Sequence, residues 1–407
     1  MRGRQRGIAA AVAVALHLAL LVPTIGQEGG VLGTDFGPEA EAIEGGALPY
    51  GDEELEYPPF SIPVIVGPAL VGEGAEAYNE DFEIQMLVVD LAIVLLLALA
   101  LPGTARHVIA ALAVYTLGIV ALSGIVLGAS DIDEAPLALG RFDLWPALLV
   151  LAAVLARERG RSATWSALLS AGVALKAYPL ALYPALLRGE RNLGRVAVAA
   201  AIPVVVAAAI VLGFGDDFGS AIGYHADRGL QIEAVAATPL EIASINDTSA
   251  EAEYGSGSFN FVAGGAEAAR AISIGLLVCS YALVLWAGWR TRVSHLKLAT
   301  ALLAVIVVFS PVLSPQFLFW LLPLSAAAYG LAASNAVLLA AFVLTQLMLQ
   351  FYARVVVDFD PEFVWRLAGR NAALLLYAGL VCVPIVSAAL RPGEPDRGGE
   401  VAAPEAT

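Results

Sequence analysis

The chain has 407 residues, of which 59% are apolar and only 14% charged, a balance that no water-soluble domain of this size could keep dispersed. Thirty-seven acids against 22 bases give a formal charge of −15, which rules out a phosphate-tracking basic surface and with it a nucleic-acid partner. The composition is that of a polytopic membrane protein whose first partner is the lipid bilayer, and its acidic, lysine-poor, alanine-rich character matches proteins of a high-salt, haloarchaeal habitat.

Apolar runs of membrane-spanning length lie at about 8–24, 84–102, 107–128, 141–156, 194–213, 268–289, 297–313, 315–331, 334–352 and 371–390, which predicts ten crossings. Two further apolar stretches are read as re-entrant or interfacial: 60–72 is short for a span, and 164–187 is broken by Pro179 and Pro184. The connecting segments separate sharply by charge. Segments 1–7, 103–107, 157–163, 188–195 and 290–297 hold thirteen Arg or Lys, with Glu158 and Glu190 as their only acids. Segments 25–59, 73–83, 129–142 and 214–267 hold twenty-six Asp or Glu, with Arg141 and Arg228 as their only bases. Basic loops stay cytoplasmic, so the acidic loops are expected outside and both termini inside.

The predicted organisation is a signal-anchor helix (1–24), a first external loop (25–59), a transmembrane bundle with re-entrant elements (60–213), a long acidic external loop (214–267), a C-terminal bundle (268–390) and a disordered cytoplasmic tail (391–407). The sequon Asn246-Asp247-Thr248 falls on an external loop in this scheme. Cys279 and Cys382 lie in apolar runs and read as small buried hydrophobes rather than as disulfide or metal-site partners. His17, His107, His225 and His295 are dispersed, and no phosphate-binding glycine loop, dinucleotide fingerprint or serine-hydrolase elbow appears.

Polar and aromatic residues gather on the predicted outer side. The first loop carries Asp35-Phe36, then Leu48-Pro49-Tyr50-Gly51-Asp52, then Glu56-Tyr57-Pro58-Pro59-Phe60. Arg141-Phe142-Asp143 follows at the outer end of a span, with Trp145 behind it. Lys176, in Lys176-Ala177-Tyr178-Pro179-Leu180, is one of only two lysines and sits inside an apolar stretch. A lysine at membrane depth needs a counter-ion, water or an anionic ligand, and Asp90 and Asp143 are the alternatives to a ligand. The acidic loop offers His225 and Arg228-Gly229-Leu230-Gln231-Ile232-Glu233, with Asp227 as a local partner for Arg228. Ser310-Pro311 and Ser314-Pro315-Gln316-Phe317, with Trp320, make a double break at a helix junction, and Arg354, Arg366 and Arg370-Asn371 add late cations that could simply snorkel at the interface.

In this order the motifs resemble glycosyltransferase family 87, the polyprenol-phosphate-mannose-dependent α-mannosyltransferases of the GT-C fold, over about residues 33–371. One departure is Pro38-Glu39, where the family often has a tyrosine three residues after the loop aspartate. The resemblance implies an all-α polytopic GT-C-type membrane protein, a polyprenyl-phosphate sugar donor, and a glycolipid or glycan acceptor at the external face of the cell membrane. It assigns the catalytic base to Asp35, with Asp52 in reserve. Lys176, Arg228, Arg141 and Arg370 become the candidates for the donor phosphate, and Tyr50, Glu56, Tyr57, Asp143, His225 and Gln316 for substrate contacts. It implies no cofactor and no metal ligand set, although acidic loops offer oxygen ligands that leave Mg²⁺ or Mn²⁺ dependence open. Two readings compete: a secondary transporter or lipid-linked-sugar flippase, which should concentrate its polar residues near the midplane in two related halves, and a non-catalytic membrane subunit.

Overall fold

A computed structural model describes residues 2–26, 36–50, 57–71, 75–123, 137–214, 228–245, 250–255, 258–349 and 359–391. The expected polytopic helical architecture is what it shows. Helices α1 (Arg2–Leu21), α2 (Gly37–Glu44) and α3 (Ile62–Val66) precede two long helices, α4 (Ala75–Ala100) and α5 (Ala105–Leu122). Then come α6 (Leu137–Gly140), α7 (Leu144–Glu158), α8 (Ser162–Leu175), α9 (Tyr183–Leu187) and α10 (Leu193–Phe214). The C-terminal half holds α11 (Thr238–Ala243), a hairpin of β1 (Glu251–Gly255) and β2 (Ser258–Val262), then α12 (Ala266–Arg290), α13 (His295–Phe309), α14 (Leu318–Tyr329), α15 (Ala333–Leu349) and α16 (Pro361–Leu390).

Among the described residues six helices are long and apolar enough to cross a membrane: α1, α4, α5, α10, α12 and α16. The other four predicted spans fold as shorter helices, α7 and α13 of 15 residues, α14 of 12 and α15 of 17. At about 1.5 Å per residue these reach roughly 18–26 Å, less than the ~30 Å hydrocarbon layer. Both stretches read as re-entrant or interfacial are broken helices. Residues 59–70 form two 3₁₀ turns around α3, and α8 stops before Lys176, which is extended (φ −156°, ψ 135°), ahead of a 3₁₀ turn and α9.

Burial sorts the helices into two layers. In α13 and α14 apolar residues are buried on every side, as expected of helices surrounded by protein. α10 and α12 instead display Val198, Ile202, Val204, Val205, Ile272 and Val278, an apolar surface suited to lipid rather than water. Cys279 belongs to that outer surface: both cysteines are free, but Cys279 is exposed, not buried as the sequence reading expected, because α12 turns that face away from the bundle. Gly118 lets α5 meet α14, since a Cβ there would collide with the Leu322 side chain.

Buried polar groups tie helices together. His17 of α1 pairs with Asp90 of α4 and lies 2.9 Å from Thr116 Oγ1 of α5, while Tyr115 donates to the other Asp90 oxygen at 2.8 Å. At the predicted cytoplasmic end, Arg157 donates to the carbonyls of Leu186 (2.6 Å) and Arg188 (2.8 Å), and Arg188 donates to Gly288 (2.6 Å) and Thr291 (3.1 Å). These arginines satisfy helix-terminal carbonyls that have no intrahelical donor.

Two elements differ from the sequence expectation. The last helix starts at Pro361, ten residues before the apolar run, because Asp360 caps it by accepting from Glu362 N (2.7 Å) and Pro361 fits its first turn. The acidic loop contains a β-hairpin, in register from Glu251↔Val262 to Gly255↔Ser258.

Candidate functional site

Lys176 ends α8: its backbone N–H still donates to the Gly172 carbonyl at 2.9 Å, and its extended backbone then leaves the helix. Its ammonium group meets Asp143 at 2.7 Å, and the two side chains are only 12% and 2% exposed. Of the two counter-ions that the sequence offers, Asp143 is the partner, and Asp90 is committed to His17 and Tyr115. Asp143 sits just before α7, and its Oδ1 also accepts from Trp320 Nε1 of α14 at 2.6 Å. One carboxylate oxygen therefore joins three parts of the chain.

Four aromatic rings surround the ammonium: Phe142 at 5.0 Å, Tyr57 at 5.3 Å, Trp320 at 5.4 Å and Phe317 at 5.5 Å from their centroids. Ring faces attract a cation, and together they shield it from solvent. The cage has its own framework. Trp320 is sandwiched by Tyr178 (3.9 Å) and Phe317 (4.1 Å), and Tyr57 meets Phe142 edge-on at 4.9 Å. Phe36, the residue after Asp35, is buried and packs on Phe82, Phe142 and Tyr57. Tyr50 donates to the Tyr57 carbonyl at 2.7 Å, fixing the approach to Pro58-Pro59. The Tyr178 hydroxyl and Trp145 Nε1 are buried with no hydrogen-bond partner among the described residues.

The arrangement can hold an anion. An ammonium has three N–H donors, and Asp143 occupies one. The rings exclude water, so an oxyanion there would be stabilised more strongly than in bulk solvent.

A second cluster lies beyond α14. Arg370 of α16 is fully buried, 3.6 Å from Glu233 Oε2, and donates to the Glu233 carbonyl at 2.6 Å. Asn371 donates to Thr238 Oγ1 at 2.7 Å. Glu241 is buried beside them with both carboxyl oxygens unbonded among the described residues. Burial pushes its carboxyl well above the usual carboxylate range, Arg370 opposes this and Glu233 adds to it. Gln231, two residues before Glu233, donates its backbone N–H to the Pro311 carbonyl (3.0 Å) and accepts from Leu313 N with its side chain (2.7 Å). It thereby anchors the Ser-Pro segment that leads to Phe317 and Trp320.

Of the residues singled out from sequence, the structure brings together Tyr57, Asp143 and Lys176, with Tyr50 bonded to Tyr57. Gln316 accepts from Ser314 in the turn that carries Phe317. Arg141 is buried beside Phe142, Arg228 precedes the Gly229 turn, and Arg370 belongs to the Glu233 cluster. Asp35, Asp52, Glu56 and His225 lie outside the described residues, as do Arg354 and the sequon. Sequence reasoning did not select Phe142, Tyr178, Phe317 or Trp320 as site residues, although each lies within four positions of a residue that it did select. It also passed over Gln231 and Glu241.

Compared with known proteins, the family model described as glycosyltransferase family 87 matches residues 55–315. No curated protein matches. Among solved structures, ArnT from Cupriavidus metallidurans bound to undecaprenyl phosphate aligns with a TM-score of 0.48 and 14% identity, covering 93% of this chain and 77% of that one.

Proposed function

The chain belongs to glycosyltransferase family 87, and from that premise we propose that it moves a hexose from a polyprenyl-phosphate sugar to a hydroxyl of a glycolipid or surface glycan.

 The donor sugar in this reading is mannose, the reaction takes place at the external face, and both chain termini lie in the cytoplasm. The observation that carries the proposal is the caged pair of Lys176 and Asp143: a fixed ammonium, shielded by Tyr57, Phe142, Phe317 and Trp320, at a break in an apolar helix.

In the reaction, the acceptor hydroxyl oxygen bonds to the anomeric carbon as the bond from that carbon to the phosphate oxygen breaks. The departing polyprenyl phosphate keeps the electron pair. Lys176 stabilises the growing phosphate charge, with Arg141, Arg228 and Arg370 as further candidates. Asp35 accepts the hydroxyl proton, with Asp52 in reserve. Phe36, seated against Phe142 and Tyr57, is the support for placing Asp35 at this site. Attack opposite the leaving group inverts the centre, so a β-linked donor gives an α-mannoside. Glu56, His225 and Gln316 remain candidate substrate contacts, and the lipid-linked sugar is itself the substrate, so no cofactor is invoked.

The test is transfer of labelled mannose from polyprenyl-phosphate-mannose to endogenous lipid or glycoprotein in membranes carrying wild type or Asp35→Ala at matched expression. Transfer by wild type that disappears in Asp35→Ala supports the reading. Absence of transfer by wild type in its native membranes and salt refutes it. A transporter would also use an interrupted helix such as that at Lys176, and it would move the lipid-linked sugar across the bilayer without forming a glycosidic bond.

A further inference from the structure

The hairpin of the acidic segment bounds a cleft separate from the Lys176 cage. Glu253 of β1 stands opposite Asn260 of β2, Gln231 bridges to Asn260, and Phe261 N donates to the Leu230 carbonyl at 2.8 Å. Between the hairpin, the Gly229–Leu230 turn and the first turn of α12 lies a cavity of about 710 Å³. That is within the roughly 300–1,000 Å³ usual for small-molecule sites and far larger than a site for one water or ion.

The lining is chemically mixed. Glu253, Glu267 and Asn260 supply polar groups, and the exposed Val262 and Ala268 supply apolar surface. The Asn260 amide nitrogen is committed to the carbonyls of Gly255 (2.9 Å) and Ser258 (3.2 Å), whereas its Oδ1 is buried without a partner among the described residues. Gly229 favours this close approach, since a Cβ there would lie 3.2 Å from Asn260 Oδ1, tighter than ordinary contact. Glu253 and Glu267, the latter 3.9 Å from Arg270, leave a net negative charge that disfavours an anionic ligand and accept well from hydroxyls, while the exposed Val262 suits the C–H face of a sugar ring. Gln231, next in the chain to Leu230, accepts from Leu313 N, four residues before Phe317.

We propose that this cleft binds the acceptor as an uncharged, hydroxyl-rich glycan. The assignment of that glycan as acceptor rests on the glycosyl-transfer reading.

The test uses the full chain in nanodiscs with a neutral mannotriose as probe, followed by isothermal calorimetry, and with polyprenyl phosphate as a second ligand. Ala268→Trp places a bulky ring in the cleft from an exposed position of α12, and Glu253→Gln removes one exposed acceptor while keeping its shape. The expected result is mannotriose binding by wild type, weakened at least about tenfold by Ala268→Trp and less by Glu253→Gln, with polyprenyl-phosphate binding unchanged in both. Failure of wild type to bind mannotriose, or equal binding by Ala268→Trp, would overturn the proposal. So would Ca²⁺ binding that Glu253→Gln abolishes in a protein with no affinity for mannotriose, since the cleft would then be a cation site. Mannotriose binding that depends on the cleft, in a protein that does not bind polyprenyl phosphate, would keep the cleft and reject the transfer reading.

Discussion

Lys176 and Asp143 are joined at 2.7 Å across 33 residues of sequence, and the same Asp143 oxygen is held by Trp320. The carboxylate is thus fixed before any ligand arrives, and the ammonium it holds is already aimed. Preorganisation of this kind is what allows one charge to act on a developing oxyanion without paying for its own reordering.

Trp320→Phe keeps an aromatic side chain beside Lys176 and removes the indole N–H to Asp143. The loss of one hydrogen bond to a charged group is worth about 1.5–3 kcal/mol, so kcat/KM for the donor should fall by roughly ten- to a hundredfold. Steady-state transfer with varied donor checks this.

Asp143→Asn leaves the Lys176 charge without its counter-ion in a nearly buried site. Breaking such a pair from one side costs about 3–5 kcal/mol, whereas replacing both partners by apolar residues costs far less. The double variant Lys176→Met with Asp143→Leu should therefore unfold at a higher temperature than Asp143→Asn, while showing no transfer. Thermal unfolding in detergent measures the first part and the transfer assay the second.

Arg370 separates two roles by the same logic. Arg370→Met removes the cation beside the buried Glu233 carboxylate and should lower the unfolding midpoint sharply. If its main role is to hold donor phosphate, the variant would instead raise the donor KM with an unchanged midpoint.

Glu241 gives a pH signature. Burial raises its folded-state carboxyl well above the usual range, so the native state keeps a proton that the unfolded chain releases. Its contribution to stability is intact below the ordinary carboxylate value and is lost as pH rises through the raised one. Glu241→Gln should flatten that decline and leave the variant more stable than wild type at alkaline pH, as unfolding midpoints across a pH series would show.

The broad architecture was legible because lipid imposes simple demands. Long apolar runs gave α1, α4, α5, α10 and α12, and the prolines at 179 and 184 marked the break that follows Lys176. The start of α16 was missed because an apolar scan ignores caps, yet Asp360-Pro361 was readable as one. The hairpin was missed because Glu251 to Val262 combines acids, glycine and aromatics without an apolar alternation strong enough to mark strands.

The site was legible in its charges and not in its rings. Lys176 stood out as a cation in an apolar run, and Asp143 was one of two counter-ions offered. Phe142, Phe317 and Trp320 were quoted in the motifs but not chosen as site residues, because a cage assembled from the residues before α7, the 176 break and the 317–320 segment exists only in three dimensions. His17 similarly read as an isolated histidine until packing of α1 on α4 placed it against Asp90.

The most direct test of the central claim is the donor dependence of sugar transfer by Lys176→Gln, which keeps hydrogen-bonding ability at that position but removes the charge. The account predicts a loss of roughly a hundredfold or more in kcat/KM, with weakened polyprenyl-phosphate binding, in a protein that still folds. Transfer at the wild-type rate with unchanged donor affinity would contradict it.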